Sequence, residues 1–283
     1  MEKSGFDFIG FEDSYDISKV VLFGAPFDAT SSFKPGSRFG PNAMREDSWA
    51  LESYSPYLDK DLNDLALFDY GNLELPFGDK RKSIDIIYEF IKKILKDKKI
   101  PIMLGGEHLV TFASVKALYE NHKDLHIIHF DAHTDLRDDY LGESFSHATV
   151  IKRVHDIVGD NRINQFCIRS GLKEEFEWAK IHTNLEKFTF NTLDNCIDKL
   201  KDKNVYITID LDVLDPSILP GTGTPEPGGI TFNDMMIIIK KLSNLNSVVG
   251  IDIVELSPKY DISGVSTSVA CKILRELTLS VIK

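Results

Sequence analysis

Short runs of β-branched and other apolar residues recur along the chain, at positions 20–23, 65–68, 101–104, 126–130, 165–168, 205–209 and 248–253. Such runs are expected to be buried strands. Between them lie segments with helical spacing: residues 83–95, which place Ile84, Ile87, Ile91 and Leu95 on one face, and residues 232–242. Strand and helix therefore alternate, which predicts a mostly parallel sheet with helices on both faces. Ligands of such sheets bind at the carboxyl ends of the strands. The polar residues that end the apolar runs are accordingly where chemistry is to be sought.

No Pro/Gly/Ser-rich linker, long charge run or repeat divides the 283 residues, so one domain spanning 1–283 is expected. A formal net charge of −11 argues against a nucleic-acid partner, whose binding rests on clustered Lys and Arg. It suits a cationic substrate, although an acidic surface also simply maintains solubility. The start, Met1 to Asp7, lacks the basic residues and apolar run of a secretory signal, and every apolar stretch is shorter than a membrane span. A cytoplasmic protein without membrane contact is expected. Cys167, Cys196 and Cys271 are scattered and form no metal-binding pair, so reduced, buried thiols are expected.

Three of the apolar runs end in groups with metal-ligand character. The run 126–130 leads into Asp131-Ala132-His133-Thr134-Asp135. Residues two apart on an extended backbone share a face, so Asp131, His133 and Asp135 converge if that conformation persists beyond the strand. The run 205–209 ends in Asp210-Leu211-Asp212, and the run 101–104 ends in Gly105-Gly106-Glu107-His108, where two glycines permit a tight turn into a histidine. Carboxylates crowded at buried strand ends repel one another, and their pKa values rise until some are protonated. Two divalent cations would balance Asp131, Asp135, Asp210 and Asp212, with His108 and His133 completing the ligand set. Oxygen-rich coordination with one histidine per ion favours Mn²⁺ over a thiolate-seeking metal. Taken singly, each motif has a plain alternative, because a strand-end Asp usually caps a turn and a lone histidine is usually a satisfied polar group. Their joint occurrence favours the metal site. His126 and His129, inside the strand, are assigned to the core.

These motifs, with Ser146-His147-Ala148-Thr149, the segment Gly221 to Gly229 that contains Thr224, and Gly250 to Pro258, resemble the signature blocks of the ureohydrolase family, the arginases and agmatinases. The resemblance starts at Gly24-Ala25-Pro26-Phe27-Asp28 and the segment Pro35 to Pro41, and so covers nearly the whole chain. It implies a three-layer α/β/α sandwich around a mostly parallel eight-stranded sheet, two Mn²⁺ per chain, and a homo-oligomer, trimeric or hexameric. One ion would take His108, Asp131, Asp135 and Asp210; the other, Asp131, His133, Asp210 and Asp212. Glu107 stands where the family often has Asp, at a position that is not a ligand.

A guanidinium carbon is a poor electrophile, so its hydrolysis needs a strong nucleophile at neutral pH. A water shared by two metals, its pKa lowered, supplies hydroxide. Asp135 is expected to orient it, His147 to carry a proton to the leaving amine, and Glu255 to receive the guanidinium fork. The loop 136–145 resembles that of agmatinases rather than arginases. An acidic rim of Asp138, Asp139 and Glu143 would suit the distal ammonium of agmatine, while Thr224 belongs to the expected substrate-binding set. Products would be putrescine and urea. Alternatives are aminopropylagmatine, guanidinobutyrate or arginine, and more remotely a single-metal deacetylase-like enzyme, against which His108 and Asp135 speak because they complete a second site.

Overall fold

A computed structural model of the protein describes residues 6–283; the expectation drawn from the amino-terminal residues falls largely on residues 1–5, outside the described residues. Eight parallel strands form one sheet: β1 (Val20–Ala25), β2 (Leu67–Asn72), β3 (Ile100–Gly105), β4 (His126–Phe130), β5 (Ile163–Ile168), β6 (Asn184–Lys187), β7 (Val205–Asp210) and β8 (Val248–Val254). Their spatial order is β2-β1-β3-β8-β7-β4-β5-β6. Strands β1, β5 and β7 are buried at every position, as continuous apolar runs covered on both faces must be.

Helices α2 (Lys80–Lys96), α3 (Thr111–Asn121), α4 (Val150–Val158) and α5 (Lys173–His182) cover one face. The other is covered by α1 (Gly40–Ser48), α6 (Leu193–Leu200), α7 (Phe232–Leu242) and α8 (Val265–Val281). The expected sandwich is thus present. Helix α7 begins where a capping box predicts, with Thr231 Oγ1 and the Asp234 carboxylate each satisfying the other's backbone N–H. Among the described residues, no helix is long and apolar enough to cross a membrane.

Most strands run a residue or two beyond the expected apolar runs, and two differences are larger. Strand β2 starts at Leu67 rather than 65, because Leu65 still closes the 3₁₀ turn Leu62–Asp64 with an N–H bond to the Leu62 carbonyl. The eighth strand, β6, was not marked by any apolar run; it is a short edge strand, half exposed. For the site, what matters is the level at which the central strands end. Leu104, Ile253, Ile209 and Phe130 lie side by side in register across β3, β8, β7 and β4. The residues that follow all emerge along one edge of the sheet.

Candidate active site

Each central strand delivers its ligands through a different local device. After β3 the chain turns at Gly106, where a Cβ would run into the backbone of Phe27. His108 then opens a 3₁₀ turn, His108–Val110, that leads into α3. After β7, Asp210 caps a second 3₁₀ turn, its Oδ1 accepting the Asp212 N–H at 2.9 Å, so Asp212 is presented by a turn rather than by continued strand. After β4 the extended backbone does not persist: Asp135 is left-handed at φ 52°, and it reaches the site by reversing the chain. Glu255, just past β8, is likewise left-handed at φ 65°. Asp135 and Glu255 are thus non-glycine residues held in the left-handed region, a conformation that costs roughly 1–3 kcal/mol each.

The ligand groups converge tightly. His108 Nδ1 lies 3.2, 3.1 and 3.3 Å from single oxygens of Asp131, Asp135 and Asp210. It is nonetheless buried without a hydrogen bond of good geometry, since one ring position cannot serve three carboxylates. Its other nitrogen, Nε2, is held by Thr208 Oγ1 at 2.9 Å, which fixes the ring. His133 Nδ1 lies 3.0 Å from Asp212 Oδ2 and 3.5 Å from Asp131 Oδ1. Asp131 therefore faces the two histidines with separate oxygens, the disposition of a bridging ligand.

The charges are in conflict as they stand. Burial, then Asp212 and Asp131, push the Asp210 carboxyl well above its ordinary range, and burial with Asp131 raises Asp135 to about 6. Burial opposes ionisation of Asp131 too, but His129, His108 and His133 hold it well below the usual value. His108 and His133 are driven well above theirs by the surrounding carboxylates, against their burial. Two divalent cations at the orphaned His108 Nδ1 and beside His133 would remove this conflict, so the residues present fit a binuclear metal centre.

A cleft of about 270 Å³ opens over this cluster, lined by His133, Asp135, Arg137, His147, Glu175 and Thr224 among others. Thr224 Oγ1 donates to Asp212 Oδ2 at 3.1 Å. His147 Nε2 meets Ser32 Oγ at 3.2 Å, and burial, then the charge of His133, push this imidazole down to about 4. Glu255 is buried behind the residues that line the cleft, and its Oε1 accepts the His108 N–H at 2.9 Å. The structure does not bring Asp138 and Glu143 to the cleft. Asp138 points outward, 85% exposed, and pairs with Lys152 at 3.3 Å; Glu143 pairs with Lys80; Asp139 accepts the Gly142 N–H at 3.2 Å.

A profile of the arginase family matches residues 18–280. The chain belongs to the arginase family. It is 49% identical over 283 residues to the agmatinase of Bacillus cereus, covering 99% of this chain and 98% of that protein. The N(1)-aminopropylagmatine ureohydrolase of Thermococcus kodakarensis is 37% identical over 248 residues, 85% of this chain and 83% of that one. Among solved structures, a putative agmatinase from Clostridium difficile superposes with a TM-score of 0.93 at 52% identity, covering 95% of this chain and 98% of that one. The chain is an arginase-family hydrolase related to agmatinases, and its fold and clustered aspartates and histidines agree with a metal centre of that family.

Three groups in this arginase-family site escaped the sequence reading. His129 is buried, but its Nε2–H bonds Asp131 at 2.8 Å while Gln165 supplies a donor to Nδ1 at 3.1 Å, so it orients a candidate ligand rather than merely filling the core. Strand spacing carried the signal, because His129 and Asp131 share a face. Arg169 donates to the main-chain carbonyls of Asp212, Val213 and Glu226 at 2.6, 3.1 and 2.8 Å, fixing the turn that presents Asp212. Glu175, from α5, is the acid in the cleft wall; it accepts Thr134 Oγ1 at 2.7 Å and the Leu136 N–H at 3.0 Å. No local motif marks it. Glu107 is no ligand, but it accepts the Thr30 N–H and hydroxyl, and Thr30 Oγ1 in turn accepts the His147 N–H at 3.1 Å.

Proposed function

We propose that this arginase-family enzyme hydrolyses agmatine to putrescine and urea at a pair of Mn²⁺ ions held by His108, Asp131, His133, Asp135, Asp210 and Asp212. The observation that carries the reading is the buried His108 Nδ1, orphaned among three carboxylate oxygens. When bound, such an ion pair supplies Lewis acidity that makes water nucleophilic near neutral pH. Oxygen-dominated donors with one imidazole for each ion support manganese.

The protein's own groups do the rest. Glu255 Oε2, past the end of β8, accepts a guanidinium N–H and aims the carbon at the Asp131–Asp210 cluster. Asp135 accepts a hydrogen bond from the attacking water and sets its direction. Hydrolysis breaks the bond between the guanidinium carbon and the alkyl nitrogen, so that nitrogen must gain a proton as it leaves. His147 carries it: burial keeps this imidazole neutral, so it can take up the proton that the attacking water gives up and pass it to the leaving nitrogen. The negative charge of Glu175 in the cleft wall supports a substrate ending in an ammonium.

A second reading, a guanidino acid such as guanidinobutyrate, is favoured by one observation. Arg137 also lines the cleft, stacked on Tyr140 at 4.7 Å and 3.9 Å from Glu175. Urea release from agmatine, aminopropylagmatine, guanidinobutyrate and arginine under Mn²⁺ saturation decides between them. Catalytic efficiency on agmatine should exceed that on arginine by at least about a hundredfold, given the cost of juxtaposing like charges. Greater efficiency on guanidinobutyrate would transfer the assignment to the guanidino acid.

A further inference from the structure

On the outer side of α4 and α5, two imidazoles converge on one carboxylate oxygen. His155 Nε2 and His182 Nδ1 each lie 2.7 Å from the same Asp160 Oδ1. His155 sits in the last turn of α4, His182 ends α5, and Asp160 lies in the turn after α4, between Gly159 at φ 83° and Asn161 at φ 60°. The cluster stands apart from the cleft along the same two helices: His155 is eight positions beyond His147, about 12 Å of helix, and His182 is seven beyond Glu175, about 10 Å.

The arrangement is built rather than incidental. The Trp178 indole stacks on His182, centroids 4.3 Å apart, and meets the edge of His155 at 4.6 Å, so one aromatic holds both rings. The His155 carbonyl accepts the Gly159 N–H at 2.8 Å and the His182 carbonyl accepts the Asn161 N–H at 2.9 Å, tying the backbone of all three residues together. The imidazoles are mostly shielded, at 15% and 28% exposure, whereas Asp160 is 55% exposed, which leaves an open side for water ligands. Hydrogen bonds from His182 and His155 keep the Asp160 carboxyl below its ordinary range, hence ionised. Lys152, which lies over the Trp178 ring at 3.7 Å, is paired with Asp138 at 3.3 Å.

We propose that His155, Asp160 and His182 form a third metal site, for a borderline divalent cation of the Zn²⁺ class, distinct from the catalytic pair. Two imidazoles and one carboxylate, with water in the fourth position, are a ligand set that Zn²⁺ takes and that Mn²⁺ or Ca²⁺ does not prefer. Metal–nitrogen and metal–oxygen bonds of about 2.0–2.2 Å in tetrahedral array put ligand atoms about 3.3 Å apart, so Asp160 needs to retreat by roughly half an ångström. The two ring protons that now face Asp160 move to the opposite ring nitrogens. The occupied site clasps the far ends of the two helices whose near ends supply His147 and Glu175 to the cleft.

The test uses full-length, Mn²⁺-loaded protein dialysed against Zn²⁺ with Mn²⁺ kept in excess, comparing wild type with Asp160→Asn and, as a second variant, His155→Gln. Neither substitution touches the cleft, so exchange at the catalytic pair cancels in the comparison. Elemental analysis should find about three ions per chain in the wild type and about two in each variant. Calorimetric titration should show Zn²⁺ affinity at this site weakened by at least about tenfold in each. Zn²⁺ at about a hundredfold over its Kd should raise the wild-type melting temperature by about 5 °C, with no such rise in the variants. Melting without Zn²⁺ reports whether either variant is itself unfolded. A wild type that stops at two ions, or folded variants that still take the third, would overturn the site.

Discussion

Thr30→Val is the most informative single change, because it removes one hydroxyl that joins a buried acid to the proton-carrying histidine. Thr30 Oγ1 donates to Glu107 and accepts the His147 N–H at 3.1 Å. Valine has the same shape and neither capacity. Glu107 keeps the Thr30 N–H at 2.9 Å and Ser31 Oγ at 3.1 Å, so the loop stays anchored, but one carboxylate oxygen and one backbone N–H lose their partner. An unsatisfied buried group costs about 1–3 kcal/mol. Glu107 is fully buried and His147 half-buried, so we take about 2 kcal/mol for the first and about 1 kcal/mol for the second, about 3 kcal/mol in all, or a drop in melting temperature of about 6–12 °C. The kinetic effect is separate. His147 is held at its backbone by this bond, and misplacement of a positioned group by about an ångström can cost on the order of a hundredfold. We expect kcat on agmatine to fall by about tenfold to a hundredfold with KM within about twofold, metal content unchanged, and Thr30→Ser to restore most of the loss. Unchanged kcat in Thr30→Val, or a loss that serine does not repair, would refute the argument. A fall in metal content would instead trace the effect to His108, next to Glu107.

Asp210→Asn should lower bound metal and activity more than His108→Asn, because the proposed bridge serves both ions; elemental analysis beside urea assays checks this, and near-normal turnover in Asp210→Asn would refute the ligand set. Gly106→Ala should unfold the active-site edge or the whole chain, since the new Cβ meets the Phe27 backbone, which cannot move aside as a flexible side chain could; retained activity and melting temperature would contradict it. The lowered value of His147 implies a pH effect on stability. The unfolded chain binds this proton from about 6.5 downward and the folded chain only near 4, so stability is lost as pH falls through that window. His147→Asn in metal-free protein should reduce the difference in unfolding free energy between pH 7 and pH 4 by about 2–3 kcal/mol, measured by urea denaturation.

The sheet was legible in the sequence because its central strands are buried on both faces and so read as unbroken apolar runs. Strand β6, Asn184 to Lys187, is an exposed edge with no such run to read. The ligands were legible for the same reason as the strands: a polar residue that ends a buried run has nowhere to go but the sheet's carboxyl edge. What spacing could not supply was how they converge. Alternation predicts that Asp135 shares a face with Asp131 along extended chain, whereas the actual approach depends on a left-handed turn at Asp135 that closes Asp135's carbonyl over the N–H groups of Ile151 and Lys152 at 3.1 and 3.2 Å. The acidic loop is placed by the same turn. Asp138 follows that turn directly and is drawn out to Lys152 and Arg153 on α4, and these cations are far enough along the chain that loop composition alone gives no hint of them.

The charge that reaches the cleft comes from Glu175, about forty residues later, and it arrives as the cap of α5, whose carboxylate accepts the Leu172 N–H at 2.6 Å as well as bonds from Thr134 and Leu136. A capping glutamate is ordinarily a local device for starting a helix. Here the same carboxylate also braces the loop after β4 through Thr134 and Leu136 and lines the cleft. On the proposed reading, the group that faces the substrate's distal ammonium is thus carried by α5, whereas the six candidate ligands of the catalytic pair stand at the strand ends and in the turns after them. None of those six candidates lies on α4 or α5.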